Sequence, residues 1–206
     1  MKTIPHDFIE IRAVYDEKRV RVYQAFREEI AREAIRLGTF GPHFSLGRMT
    51  WIKPSFLWMM YRSGWAQKEG QEHILAIDLR REAFDRLLEN AVLSSWFPES
   101  GVSQQEWKQQ VRQSDIRCQW DPERDPHGHP LPYRSAQLGL RGQVVRHYVT
   151  DWILGIEDIT DRVKFIKAKA DAGEDITPLL PPERVYPMTQ TAKEHFQCVR
   201  PKGKEA

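Results

Sequence analysis

The chain has 206 residues, of which 40% are hydrophobic and 11% aromatic, enough for a packed core and too many for wholesale disorder. Thirty-one Lys+Arg against 29 Asp+Glu leave a net charge of +2, which excludes a grossly basic nucleic-acid coat but not a local basic cleft. The longest apolar run, Phe56 to Tyr61, is far too short to cross a bilayer, and Cys118 and Cys198 form no metal-type pair, so a soluble cytoplasmic protein with reduced thiols is expected.

Charged residues alternate with β-branched or aromatic ones over 19–26, the period of a strand. The period then lengthens. Ile30, Ala31, Ala34 and Ile35 line a helical face that Gly38 terminates. A short strand over 48–53 leads to Pro54, which suits the first turn of a helix reaching Ser63-Gly64. His73 to Leu79 reads as a buried strand, followed by a helix whose apolar stripe is Ala83, Phe84, Leu87, Leu88 and Ala91.

Beyond a loop at 94–103, a helix over 104–113 precedes a strand at 115–120. Residues 121–132 carry turn chemistry and read as a long loop, closing a hairpin with a strand at 134–140. Val144, Val145, Tyr148, Val149, Trp152 and Ile153 predict one amphipathic helix, and Thr160 caps another over 161–172. Residues 1–173 form a single α+β domain, and the proline-rich stretch 174–206, ending in Arg200-Pro201-Lys202-Gly203-Lys204, is a strap or tail. Trp58, Leu75, Ile77, Phe84, Leu87, Tyr148 and Trp152 are the expected core.

The block Met49 to Trp65 concentrates three tryptophans around one strand-to-helix junction. A helix starting there aims unpaired backbone N–H groups and a positive dipole end outward. Lys53 precedes it, Ser55 adds a hydroxyl, and Arg48 and Arg62 flank it, the ingredients of a phosphate or carboxylate site. Arg62 sits among apolar residues and needs an anion, either Asp78 or a ligand. Leu57, Trp58, Tyr61 and Trp65 suit burial on one stripe. Asp121, Glu123, Asp125, His127 and His129 offer metal-type ligands, but their spacing matches no standard site and a solvated turn explains them better; no metal is assigned. No nucleophile triad is legible.

Val22 to Phe26, the block Met49 to Trp65, Gln119 to Asp125 and Gln137 to Gly142 together resemble a widespread domain-of-unknown-function family, with no activity to carry over. The order of elements also resembles, distantly, small members of the ADP-ribosyltransferase superfamily, including RNA 2′-phosphotransferases. That resemblance implies a split, antiparallel-rich sheet flanked by helices, with NAD bound in the cleft between the two halves. It further implies an Arg or His from the first core strand, a Ser, Thr, Tyr or His from the second block, and often a late Glu. The matching positions here are Tyr23 or Gln24, then Thr50, Ser55 or Tyr61, then Gln137, so the sequence departs at the first and last.

The leading expectation is a nucleotide- or nucleic-acid-end-binding protein, transferase-like if active. Tyr23, Arg48, Thr50, Lys53, Ser55 and Arg62 would hold the ligand, and Gln24, Tyr61 and Gln137 would be catalytic. Two other readings compete. One is a non-catalytic RNA- or DNA-binding module stacking bases on Trp51, Tyr61 and Trp65; the other is a protein-interaction domain.

Overall fold

The computed structural model describes residues 9–197. Along the chain run β1 (Arg12–Ala13), β2 (Arg19–Phe26), α1 (Glu28–Leu37), β3 (Thr50–Ile52), α2 (Phe56–Ser63), β4 (His73–Arg80), α3 (Arg81–Asn90) and β5 (Val92–Leu93). Then follow α4 (Gln104–Gln113), β6 (Ile116–Arg124), β7 (Pro130–Leu140), α5 (Gly142–His147), β8 (Ile153–Asp158), α6 (Thr160–Asp171), β9 (Arg184–Val185) and α7 (Gln190–Gln197).

This is a mixed α+β fold with antiparallel-rich sheets. One sheet has the order β2-β4-β8 and another β3-β7-β6-β5, in which only β5 runs parallel to its neighbour; β1 pairs with β9. The two larger sheets meet at a single antiparallel bridge. Tyr23 N donates to Lys53 O at 2.7 Å, and Lys53 N donates to Tyr23 O at 3.2 Å. The ladder goes no further, and the side chain of Gln24 fills the gap by donating to Trp51 O at 3.0 Å.

The strand β4 explains why its sequence lacks alternation: both of its faces are covered. Leu75, Ile77 and Leu79 pack with Val20, Val22, Phe84, Leu87 and Leu138 on one side, while Ile74 and Ala76 join Tyr23, Phe56, Met60 and Val163 on the other. Asp78 interrupts the run and is held by Arg19 and Arg21, at 3.0 and 2.8 Å.

Several expected elements shift. The helix of the tryptophan block begins at Phe56, with Ser55 as its N-cap and Pro54 outside it. Residues 121–132 are not a long loop: β6 continues to Arg124 and β7 starts at Pro130, with an irregularity between Pro122 and Arg124 that absorbs the proline. Asp125 makes the turn tight by accepting from the backbone N–H of His127 and of His129, both at 2.8 Å. The amphipathic pattern over 144–153 divides into α5, a π-helical turn at Tyr148–Trp152 and then β8. A β-strand of only six residues with Gly155 inside it left too little alternation to separate it from the helix before it. Trp152, expected in the core, is half-buried and stacked on His147. On α2, Phe56, Trp58, Met59 and Met60 are buried whereas Tyr61 is 48% exposed, so the buried stripe is rotated from the expected one.

Residues 174–197 cross the surface and re-enter the packing. Tyr186 N donates to Ile11 O at 2.7 Å, and Ala192 and Phe196 are buried, with α7 lying on α3. The basic stretch from Arg200 to Lys204 and Cys198 lie outside the described residues; Cys118 is buried. No described helix is long and apolar enough to cross a membrane.

Candidate functional site: a cleft where the two sheets part

Where the β2–β3 ladder stops, a cleft of about 610 Å³ opens, a volume in the range of small-molecule sites. Gln24, Phe26, Arg48, Met49, Thr50, Trp51, Lys53, Met59, Arg62, Gln71, Gln119 and Gln137 line it.

Its wall is rigid on the β2 side. The Gln24 amide nitrogen donates to Thr50 Oγ1 at 2.6 Å as well as to Trp51 O, and its carbonyl accepts from Tyr148 OH at 2.6 Å. With both ends engaged and 3% exposure, Gln24 joins the two sheets.

The floor comes from one face of the β3-β7-β6 sheet. Gln119 stands directly opposite Gln137, and Trp51 opposite Gly139. Residues two apart on a strand share a face, which adds Asp121 and Lys53 to this group. Asp121 accepts from the amide nitrogens of both glutamines, at 2.8 Å from Gln119 and 2.6 Å from Gln137.

Lys53 is the anomaly. It is only 4% exposed, yet among the described residues its ammonium makes no hydrogen bond or ion pair. Burial, and then the positive charge of Arg62, push the Lys53 pKa down from 10.5 to about 8, against a smaller pull from Asp121. Arg48 and Arg62 are exposed at the rim and are likewise unpaired among the described residues, so Arg62 does not meet Asp78.

The start of α2 does something different from what its sequence suggests. Ser55 Oγ accepts from Trp58 N at 3.1 Å, and Phe56 N donates to Glu183 Oε1 at 2.7 Å. Thus an acidic side chain from the chain's own C-terminal segment occupies the positive end of the helix. Burial, with a further push from Glu123, raises the Glu183 carboxyl to about 8, even though the Phe56 N–H bond lowers it. Glu123 is buried beside it and raised for the same reason.

The expected ligand group therefore divides. Gln24, Arg48, Thr50, Lys53, Arg62 and Gln137 share the cleft. Tyr23 does not: its ring turns into the core against Phe56, with 1% exposure. Ser55 is taken up by its cap. Tyr61 stacks on Trp58 under the Arg124 guanidinium, 3.9 Å from its centroid, and lines another depression with Asp125 and His127. Among the described residues, no group of three or more His, Cys, Asp or Glu side chains is placed to hold a metal ion.

Gln119, Asp121 and Gln71 were not in the expected group. The signal for the first two was present: Gln119 lies in the expected strand directly opposite Gln137, and Asp121 shares its face once that strand is carried one residue beyond Trp120.

The chain belongs to a family described as a domain of unknown function, DUF4291, whose model matches residues 10–186. No curated protein matches it.

Proposed function

We propose that this cleft binds the phosphate-bearing part of a nucleotide or of a nucleic-acid end, with Lys53 beneath the phosphate and Arg48 and Arg62 at its edge. The observation that carries this is Lys53, whose side chain is buried while its ammonium reaches the cleft without a partner: a cation stripped of most of its hydration is stabilised by a counter-charge, and among the described residues none makes direct contact with it. The cleft's place between two sheets also fits the ADP-ribosyltransferase-like resemblance, with NAD as the cofactor that resemblance implies. Group transfer is the less supported half of that reading. Gln24 has no free polar atom to offer, Tyr61 faces elsewhere, and no glutamate lines the cleft among the described residues. Binding without chemistry is favoured on these grounds.

Titration of AMP, NAD and a 5′-phosphorylated oligonucleotide tests it. Each phosphate-bearing ligand that binds should raise the melting temperature by mass action, and added salt should erode the effect. Arg62→Ala should weaken binding roughly tenfold, as expected for removing one charge-assisted donor from a solvated rim. Above pH 8 binding should take up a proton, because an anion restores the ammonium form of Lys53; calorimetry in buffers of different ionisation enthalpy reads this directly. Absence of any shift at millimolar concentration of all three ligands would defeat the proposal.

A further inference from the structure

The floor of the cleft carries a second kind of order that has nothing to do with charge. Asp121 is an acceptor-only carboxylate, and each of its oxygens receives an amide N–H, one from Gln119 and one from Gln137. This settles which way both amides point. Their nitrogens face Asp121, so their carbonyl oxygens are the free ends, and among the described residues neither carbonyl has a hydrogen-bond partner. The two residues are directly opposite on β6 and β7, which puts their Cβ atoms roughly 5 Å apart.

Beside this pair lies an aromatic surface. A Cβ placed on Gly139 would stand 3.0 Å from Trp51 Cζ2 and Cη2 and 2.7 Å from Met49 Sδ. The absence of a side chain at 139 is what lets the indole and the thioether settle over the strand, next to Gln137 on the same face. Trp51 remains half-buried and lines the cleft. Lys53 is two residues further along the chain on that face.

We infer that Trp51, Gln119 and Gln137 form a base subsite, and that it selects heterocycles bearing an exocyclic amino group. An amino group has two hydrogens to give, and two adjacent carbonyls receive them while the ring rests on Trp51. A keto group at the same ring position would set its oxygen against two carbonyl oxygens with no donor between. Adenine and cytosine meet the requirement; hypoxanthine and uracil do not. Asp121 is a positioning residue here, acting through the glutamines. The inference rests on the phosphate reading above, since the same ligand must reach Lys53.

Binding of AMP, IMP, CMP, UMP and ribose 5-phosphate to the full-length protein, measured by calorimetry at one ionic strength, tests it. AMP should bind about tenfold more tightly than IMP, and CMP than UMP, the scale of one well-placed base contact. Asp121→Asn presents one donor and one acceptor, so one glutamine turns over and the AMP-to-IMP ratio should fall several-fold. Trp51→Ala should weaken all four nucleotides while leaving ribose 5-phosphate unchanged. Equal affinities within each amino/keto pair, or a ratio untouched by Asp121→Asn, would overturn the base subsite. If ribose 5-phosphate still binds in that case, the phosphate reading survives; if none of the five binds, both fall.

Discussion

Lys53 and Ser55 are two residues apart, yet they serve opposite electrostatic ends. Lys53 faces the cleft as a buried side chain whose ammonium has no partner among the described residues, whereas Ser55 opens a helix whose positive end is already occupied by Glu183. Every ingredient of an anion site is present at the helix start, and the protein uses that site on itself. The strand, with its period of two, carries Lys53 to the other side of the junction, where Asp121 shares its face but is engaged by Gln119 and Gln137 rather than by the ammonium. A helix N-terminus therefore marks where an anion would be stable, and only the surrounding chain tells whether the anion is foreign.

The largest effect expected from this contrast is at Lys53. Its folded pKa, about 8, lies below the ordinary 10.5, so between those values the unfolded chain binds more protons and stability rises with pH. Below pH 8 both states carry the charge and the full cost of burying it remains. Lys53→Met should therefore stabilise the ligand-free protein by about 1–3 kcal/mol at pH 7, flatten the gain between pH 8 and 10.5, and reduce nucleotide affinity by about a hundredfold or more. Urea denaturation across that pH range, with and without AMP, checks both halves. A destabilised variant would mean that the ammonium has a stabilising partner in the folded protein.

Glu183 provides the matched case of opposite charge. Its carboxyl is raised from 4.5 to about 8, so the folded state holds the extra proton and stability falls as pH rises through that window. Glu183→Gln keeps an acceptor for Phe56 N–H and removes the charge. It should gain about 1–2 kcal/mol at pH 8 and remove most of the slope between pH 4.5 and 8, with nucleotide affinity unchanged. A change in affinity would join the two sites that the fold holds apart.

Much of this fold was legible because its elements carry clear patterns: β2 stands where alternation places it, β4 where a continuous apolar run does, and α3 where the apolar stripe does. The clefts and caps were harder. Arg48, Lys53 and Arg62 lie close in sequence and share the cleft, but the start of α2 does not serve it: that helix end is met by Glu183. Glu183 lies 127 positions from Phe56, and no local rule reveals that a distant acid will cap that helix. Asp121 was hidden differently. Four prolines over 121–132 suggested a loop from Asp121 onward, whereas β6 keeps its register through Asp121, opposite Ser135, and so sets Gln119 and Asp121 on the cleft face. The exposure of Tyr61 has a local origin too. On α2, Phe56, Met59, Met60 and Ser63 form the inward stripe at helical spacing, and Tyr61 falls off it.

The smallest effect expected is the most discriminating. Ser55→Ala removes the hydroxyl that accepts from Trp58 N and leaves one donor of a buried helix start without its partner. Loss of such a cap costs about 1 kcal/mol, within a range of roughly 0.5–2. If Ser55 were a ligand to the bound phosphate, as its position in the sequence suggests, the same change would weaken AMP binding about tenfold. If it serves only the helix, AMP affinity should stay within about twofold while the denaturation midpoint drops, on that same capping scale. Ser55→Thr keeps the acceptor and should recover most of the stability, provided the buried site admits its methyl group. Paired urea and calorimetric titrations of these two variants separate a cap from a ligand, because only a ligand would move both readings together.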